Sequence, residues 1–406
     1  MRLRPLRNFG GAPAHVVIAG GGVAALETVL ALRALAKERV LVDLIAPGHD
    51  FVYRPLSVLE PFGLGETPRF KIQRMVADQG VRHHLDGLAE VDPDRRRVRT
   101  RNGNELRYEA LVVATGARPL EAIPGALTFS GRAGIEKVTR VLEEARRGEA
   151  RRIVFVVPAG PVWALPLYEL ALHAEAHFTA RGVTDIELIV ATSEDAPLGL
   201  FGRRVSDAVR ALLLGRGIGL RTSTCAVAVD PGGITLVSDK YLPAERVIAL
   251  PRLEGRSVAG LPRDERGFIP TDKDGSVEGL SDVYAAGDVT TFPVKQGGIA
   301  TEQADAIGET IAARAGAPVD PAPFRPVLRG LLLTGSGPRY LSAQITRGPA
   351  VDSTAAVDPQ WWPASKVAGR YLAPFLVQRA SEPLSTKVQE VDAVIPFELN
   401  METVGF

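Results

Sequence analysis

The chain has 406 residues, of which 46% are hydrophobic and 23% are charged, and its formal net charge is +1. This length is enough for two or three domains with hydrophobic cores, and the composition is ordinary for a globular protein. The balanced charge excludes the large basic surface that nucleic-acid binding requires, so we expect no nucleic-acid partner. The single cysteine, Cys225, excludes an intrachain disulfide and a cysteine-rich zinc site.

The cysteine content and the apolar runs also bear on location. A single cysteine fits a reducing cytoplasm. The basic residues 1–8 lead into glycine and proline, not into the apolar core of a signal peptide. No apolar run approaches the about 20 residues that span a bilayer. We therefore predict a cytoplasmic protein without a transmembrane segment, and leave weak membrane association open.

The first predicted elements are a strand at residues 15–19 and a helix that follows it after a glycine-rich turn. The turn carries the pattern G-x-G-x-x-A at Gly20, Gly22 and Ala25. The first glycine permits a tight turn, the second lets the backbone approach a pyrophosphate, and the small alanine lets the helix pack on the strand. Because a helix N-terminus favours negative charge, this pattern predicts a dinucleotide site.

Two further apolar strands end in glycine. Residues 108–116 finish in Thr115-Gly116, and residues 281–288 finish in Gly287-Asp288. In order and spacing, the three motifs resemble the flavoproteins with two dinucleotide-binding domains, over roughly residues 14–315.

This resemblance assigns a role to each motif. It implies that the first motif holds the pyrophosphate of FAD and that Thr115 and Gly116 mark the exit from the FAD-binding domain. It also implies that Asp288, after Gly287, hydrogen-bonds the ribityl chain of the flavin. A helix N-cap is a second role for Asp288, and the two roles are compatible.

The resemblance also implies the fold. We expect an α/β protein with two Rossmann-like dinucleotide-binding domains of the glutathione-reductase type and a small C-terminal α+β domain. The FAD-binding domain would take residues 1–118 and 267–321, the second Rossmann-like domain residues 119–266, and the C-terminal domain residues 322–406.

The second domain has lost the glycines that nucleotide binding requires. A functional NAD(P)H site needs G-x-G-x-x-G after its first strand, but here only Gly160 remains. Pro158 and Pro161 have no backbone N–H to offer to phosphate, and Trp163 places an indole where a pyrophosphate would lie. We therefore predict a degenerate site that does not bind NAD(P)H tightly in the usual pose. Core packing is the alternative role for Trp163.

Within the flavoproteins, the chain resembles the branch of the sulfide:quinone oxidoreductases, and type II NADH:quinone oxidoreductases share much of this layout. The resemblance rests on residues 51–55 after the second strand, on the eroded second nucleotide fold, and on residues 293–295 before a helix. A C-terminal domain rich in aromatic residues adds to it.

Two residues depart from that branch. Sulfide oxidation uses a pair of cysteines, and Cys225 alone cannot supply one, so the sulfide chemistry does not carry over. Ala46, after the predicted strand at residues 40–45, replaces the acid that usually binds the ribose hydroxyls of FAD. We expect a water molecule or a backbone group to serve there.

Several residues are predicted to surround the flavin. The helix that begins near Gln296 and Gly297 should direct its N-terminus at the N1–C2=O edge, which becomes anionic on reduction. Lys295 would add a positive charge there and is our candidate catalytic residue, with a solvated loop lysine as the alternative. Arg54 and Pro55 should lie on the path between adenine and flavin, with a surface salt bridge as the alternative for Arg54. The residues predicted to bind the cofactor are the following: Gly20, Gly22, Val23, Ala24, Ala25, Ala46, Arg54, Pro55, Thr115, Gly116, Gly287, Asp288, Gln296 and Gly297.

The aromatic C-terminal segment is the predicted acceptor region. Trp361 and Trp362 could stack a quinone or another flat acceptor. Ordinary core packing or the interface of a homodimer is the alternative. On the helix predicted over residues 162–180, His173 and His177 lie one turn apart, but no third metal ligand is evident, so we predict a solvent-facing stripe and no metal site.

These observations predict an FAD-dependent oxidoreductase that passes two electrons through its flavin to a quinone-like or protein acceptor, with an unidentified donor. One alternative is an NAD(P)H:acceptor oxidoreductase that holds NAD(P)H in an unusual pose. A second alternative is a non-catalytic, flavin-bound redox sensor or a subunit of a partner complex.

Overall fold

The computed structural model describes residue 6 and residues 12–237, 240–345 and 353–380. The first region begins with a β-α-β unit. Its strands and helices in chain order are β1 (Ala14–Ala19), α1 (Val23–Leu35), β2 (Val40–Ile45), β3 (Asp50–Val52), β4 (Arg69–Lys71), α2 (Ile72–Ala77), β5 (Arg82–His84), β6 (Leu88–Asp92), β7 (Arg97–Thr100), β8 (Glu105–Arg107) and β9 (Ala110–Val113).

The middle region holds a second β-α-β unit. Its elements are β10 (Ala117–Leu120), β11 (Leu127–Thr128), α3 (Gly131–Arg146), β12 (Arg152–Val157), α4 (Leu165–Thr179), β13 (Glu187–Thr192), α5 (Arg203–Gly215), β14 (Gly219–Arg221), β15 (Ala226–Asp230), β16 (Gly233–Leu236), β17 (Tyr241–Pro243), β18 (Arg246–Ala249) and β19 (Arg252–Gly255).

The chain then returns to the first region and ends in a third one. The remaining elements are β20 (Val283–Ala285), α6 (Gly297–Arg314), β21 (Val327–Leu333), β22 (Pro338–Gln344), β23 (Ser353–Ala356) and α7 (Leu372–Arg379). Residues 1–5, 7–11 and 381–406, which our domain prediction includes, lie outside the described residues.

The core of the first region is a parallel sheet in the strand order β20-β9-β1-β2-β5. Strand β9 is apolar along its whole length and all four of its residues are buried, as expected for a parallel strand whose two faces are covered. Helices α1 and α6 pack against each other on one face. The carboxyl ends of β1, β9 and β20 meet at one edge, which brings the three glycine motifs together.

The middle region repeats this design with a parallel sheet in the order β11-β18-β12-β13-β14. The antiparallel pair β10 and β19 carries the chain out of the first region and back. The predicted α/β fold with two Rossmann-like sheets is confirmed. We propose that the predicted domain boundaries hold, because they place the antiparallel pair β10 and β19 at the junction between the first and the second domain.

The third region is small and packs onto the first. Strands β21, β22 and β23 form an antiparallel sheet, and α7 follows. The segment between them returns to the first region, where the backbone N–H of Val367 donates to the hydroxyl of Tyr53 at 3.0 Å. Within the described residues, no helix is both long and apolar enough to cross a membrane.

Candidate active site

A cavity of about 860 Å³ opens at the carboxyl edge of the first sheet. It extends from the glycine turn to the middle region and to the segment that precedes α7. It brings together residues that are far apart in sequence. The predicted site residues that line it are Gly20, Gly22, Val23, Ala24, Arg54, Pro55, Thr115, Gly116, Gly287, Asp288, Lys295, Gln296 and Gly297.

Two predicted cofactor residues do not line the cavity. Ala25 is fully buried in the packing of α1, which is the packing role that the small residue of the motif predicts. Ala46 is also fully buried, and its backbone N–H donates to the carbonyl of His84 at 3.0 Å.

The glycine turn has the shape that a phosphate group needs. Gly20 has φ +142°, and a Cβ there would collide with the carbonyl of Ala114, so no other residue fits. A Cβ on Gly22 would meet no atom within 4 Å. The turn therefore presents bare backbone to the cavity at the N-terminus of α1.

The side chain of Thr115 is a second feature that fits a bound molecule. Its Oγ1 is buried at the cavity and has no hydrogen-bond partner within the described residues. Buried hydroxyls are normally bonded, so this oxygen fits a polar group of a bound molecule. The residues present fit a flavin dinucleotide by this observation and by the open glycine turn.

Asp288 and Lys295 both line the cavity and influence each other through their charges. Burial raises the pKa of the Asp288 carboxyl, and the charges of Lys295 and Arg54 partly oppose this. Lys295 is only 5% exposed; its Nζ donates to the carbonyl of Thr290 and lies 3.9 Å from the ring centroid of Phe268. Burial lowers the pKa of Lys295 to about 8. The alternative of a solvated loop lysine is therefore wrong.

Helix α6 begins at the cavity as predicted. The side chain of Gln296 caps it by accepting the backbone N–H of Ile299 at 2.9 Å. A Cβ on Gly297 would lie 2.8 Å from the side chain of Val367, so glycine allows the C-terminal segment to cross here. The positive end of the helix dipole thus faces the space beside Lys295.

Two side-chain arrangements of the middle region bear on its predicted nucleotide site. Trp163 lines the cavity and packs on Phe201 with ring centroids 5.8 Å apart. Glu194, the first acid after β13, accepts from the hydroxyl of Tyr168 at 2.7 Å and from that of Thr192 at 2.9 Å. Both hydroxyls donate to the same carboxylate oxygen, Oε2, so this acid is held by two side chains of the middle region. The sequence alone did not reveal this arrangement.

Sequence reasoning also missed a buried ion pair. The Nζ of Lys366, which lines the cavity, contacts the two carboxylate oxygens of Glu169 at 2.6 and 2.5 Å. The same carboxylate accepts the backbone N–H of Leu333 at 2.8 Å. The pair is separated by 197 residues, so no local pattern could have indicated it.

The structure contradicts the prediction for His173 and places the predicted aromatic segment away from the cavity. His173 is 4% exposed, so the prediction of a solvent-facing stripe is wrong for it; apolar packing against Phe62 buries it. Trp361 packs on Tyr340 and Trp362 is 88% exposed, and neither lines the cavity. No cluster of metal-ligating side chains occurs among the described residues.

Comparisons with known proteins show the family to which this chain belongs. The family model described as pyridine nucleotide-disulphide oxidoreductase matches residues 14–308. An NADH dehydrogenase-like protein of Mycobacterium tuberculosis is 30% identical over 297 residues, which cover 68% of this chain and 72% of that protein. Putidaredoxin reductase of Pseudomonas putida is 28% identical over 297 residues, which cover 68% and 67%.

The fold has a close counterpart among solved structures. The sulfide:quinone oxidoreductase of Aquifex aeolicus superimposes with a TM-score of 0.76 at 19% identity, covering 84% of this chain and 86% of that chain. The match supports the fold, and the glycine turn, cavity and sequence match support the chemistry. The chain belongs to the pyridine nucleotide-disulphide oxidoreductase family and is a flavin-dependent oxidoreductase.

Proposed function

We propose that this chain binds FAD in the cavity and passes two electrons through it to a quinone-like acceptor, with a donor other than NAD(P)H. One observation carries the proposal. A single cavity runs from the bare glycine turn, past Asp288 and Lys295, to Trp163 and Lys366. A dinucleotide and a second flat molecule would share such a space.

The residues of the first region would hold the cofactor. The backbone from Gly20 to Gly22 and the N-terminus of α1 would bind the pyrophosphate. Asp288 would accept from the ribityl hydroxyls, and Lys295 with the N-terminus of α6 would stabilise negative charge at the N1–C2=O edge. Bound flavin would supply the electron and hydride chemistry, while the protein sets its potential and access.

The other end of the cavity would bind the acceptor. Trp163 and Leu165 offer apolar surface, and the Lys366 ammonium offers a proton donor held in place by Glu169. A flat molecule that takes up protons with its electrons, such as a quinone, fits that combination better than a pyridine nucleotide, whose phosphates would meet Pro158 and Pro161 instead of N–H donors.

An NAD(P)H:acceptor oxidoreductase is the second candidate. It is favoured by the 30% identity to a protein named NADH dehydrogenase-like. Transfer to a protein acceptor is favoured by the relative named putidaredoxin reductase. The hydrogen bonds that Glu194 accepts from Tyr168 and Thr192 weigh against the NAD(P)H:acceptor candidate, because they hold this acid within the middle region.

Anaerobic spectroscopy of the purified protein tests the proposal. We expect a yellow protein whose released cofactor is FAD, a flavin that NADH and NADPH reduce over many minutes or not at all, and rapid reoxidation of the photoreduced flavin by a water-soluble quinone. Bleaching within seconds by stoichiometric NADH would promote the second candidate. A photoreduced flavin that quinones leave reduced would overturn the acceptor assignment.

A further inference from the structure

The adenosine end of the proposed FAD site has lost the acid that usually binds the ribose. Ala46 stands at that position after β2 and is fully buried. A Cβ on Gly21 would lie 3.1 Å from the Cβ of Ala46 and 2.9 Å from Cδ1 of Ile72, so apolar groups border the glycine turn here. Hydroxyls that enter a cavity normally find a polar partner. The ribose hydroxyls therefore need one from elsewhere in the cavity.

Two carboxylates are available for this role. Among the described residues that line the cavity, Asp50 and Asp288 are the acidic ones. Asp288 follows the third glycine motif and is our proposed partner of the ribityl chain. Asp50 begins β3, and Pro47 and Gly48, which lead from Ala46 to it, also line the cavity. The chain thus brings a second carboxylate to the cavity just after it leaves β2.

An ion pair holds the carboxylate of Asp50. Asp50 pairs with Lys71 across the antiparallel strands β3 and β4, and the Nζ of Lys71 lies 2.9 Å from Oδ1. This contact with the ammonium lowers the pKa of Asp50, so the group is ionised at neutral pH. The side chain is 27% exposed, and no described residue donates a hydrogen bond to its second oxygen, Oδ2. Asp50 is therefore a fixed anion with acceptor capacity left at the cavity.

The ribose of an adenosine presents the groups that such an anion binds. Its 2′ and 3′ hydroxyls are neighbouring donors, and an ionised carboxylate only accepts hydrogen bonds. Bonds to a charged acceptor are stronger than bonds between neutral groups. The ammonium of Lys71 also offsets the charge of Asp50, which weakens its repulsion of the pyrophosphate in the same ligand.

We propose that Asp50 binds the ribose hydroxyls in the adenosine half of FAD and so takes over the role that position 46 has lost. The inference rests on the proposed function, because it places the pyrophosphate of FAD at the glycine turn. It makes Asp50 a residue that favours the dinucleotide over FMN, which has no adenosine half.

A cofactor without the ribose hydroxyls tests this contact in the full chain. Flavin is removed from the purified protein, and flavin fluorescence then measures the Kd of added FAD and of an analogue whose adenosine half lacks both hydroxyls. We expect Asp50→Asn to bind FAD about tenfold more weakly or worse, the scale of a hydrogen bond to a charged group. The analogue should lose a similar factor with wild-type protein, but less than about threefold with Asp50→Asn, where the contact is already lost.

Two further variants complete the experiment. Asp50→Ser also removes the carboxylate and should give the same pattern as Asp50→Asn. Asp94→Asn is the matched control, because Asp94 is exposed and is not among the residues that line the cavity. It should keep the wild-type Kd for both cofactors.

The inference is overturned if wild-type protein binds FAD and the analogue equally well, or if both Asp50 variants lose as much affinity for the analogue as wild type does. Backbone groups or water would then serve the ribose. Failure of the proposed function looks different, because wild-type protein would then bind no FAD at all, and that result would overturn both.

Discussion

At the scale of single residues, the two motif glycines of the turn differ in what they are needed for: Gly20 is needed for folding, and we expect Gly22 to be needed for binding. Gly20 is required by its positive φ and by contact with the backbone of Ala114. Gly22 has free space around its Cβ position, so a larger side chain there would project into the cavity instead of into the core.

We predict that Gly22→Val gives a folded protein without flavin. The branched side chain would occupy the space that the pyrophosphate needs and would not disturb the core. Absorbance at the flavin band and circular dichroism measure the two effects. Gly215→Val, at the equally open end of α5 and away from the cavity, should keep its flavin. Full flavin content in Gly22→Val would mean that the assigned pose is wrong.

Lys295 should tune the flavin potential. A cation at ~4 Å in a partly screened site contributes on the order of 4 kcal/mol before desolvation, and solvent reduces this several-fold. Even ~1.4 kcal/mol corresponds to about 30 mV for a two-electron couple. We predict that Lys295→Met lowers the midpoint potential by a few tens of millivolts at pH 7 and keeps the FAD content.

The effect should depend on pH in a defined direction. Lys295 is charged below its lowered pKa of about 8, so the difference between wild type and Lys295→Met should shrink as the pH rises through that value. Spectroelectrochemical titration at pH 7 and pH 9 measures it, with the exposed Lys273→Met as the control. Equal potentials at pH 7 would leave the N-terminus of α6 as the charge-stabilising element.

At the scale of elements, a buried pair of carboxyl groups holds α7 against α1 and α6. Glu27, which is fully buried, accepts the backbone N–H of Tyr371 at 2.8 Å and of Leu372 at 2.7 Å. The carboxyl of Asp305 hydrogen-bonds to Glu27, and burial together with the Glu27 charge raises the pKa of Asp305 to about 9. Asp305 therefore carries the proton of the pair at neutral pH.

This pair predicts a slope of stability with pH. The folded protein keeps the Asp305 proton up to about pH 9, whereas an unfolded chain releases it near the ordinary aspartate pKa of 3.8. Between these values the folded state binds more protons, so the free energy of unfolding falls as the pH rises. Asp305→Asn keeps a hydrogen-bond donor that does not titrate. We expect it to be more stable than wild type at pH 8 by at least about 1 kcal/mol, the scale of one pKa unit.

Urea unfolding at pH 5 and pH 8 measures this slope. The stabilisation by Asp305→Asn should be larger at pH 8 than at pH 5. Glu278→Gln, at an exposed acid, should follow the wild type at both values. A destabilised Asp305→Asn at pH 8 would mean that the wild-type pair does not share a proton.

At the scale of the whole molecule, the cavity and Cys225 lie in different places. Cys225 is half-buried beside β15 and is not among the residues that line the cavity. We predict that sulfide does not reduce the flavin, because a persulfide relay needs two thiols near it. Cys225→Ser should keep its FAD and its turnover with artificial acceptors. Flavin bleaching by sulfide, or a folded Cys225→Ser with little turnover, would show that Cys225 takes part in the chemistry.

The sequence by itself determined the fold class, and it predicted most of the residues that line the end of the cavity where we propose that FAD binds. Strand, glycine turn and helix follow one another within a few residues at Gly20, and the backbone conformation of such a turn depends on local sterics. The same holds for the prolines of the middle region, which cannot donate an N–H wherever they lie. For this reason, most predicted cofactor residues do line one cavity.

Only the tertiary structure revealed the end of the cavity where we propose that the acceptor binds, and the burial of the titratable groups. The contact of Lys366 with Glu169 spans 197 residues, and His173 packs on Phe62, which is the last residue of a 3-10 helix far away in the sequence. Their spacing showed that His173 and His177 share one face of α4, but it did not show that this face packs against Phe62. Burial and charge pairing depend on what lies opposite in space, which no local pattern records, and these contacts set the pKa values on which the proposed chemistry depends.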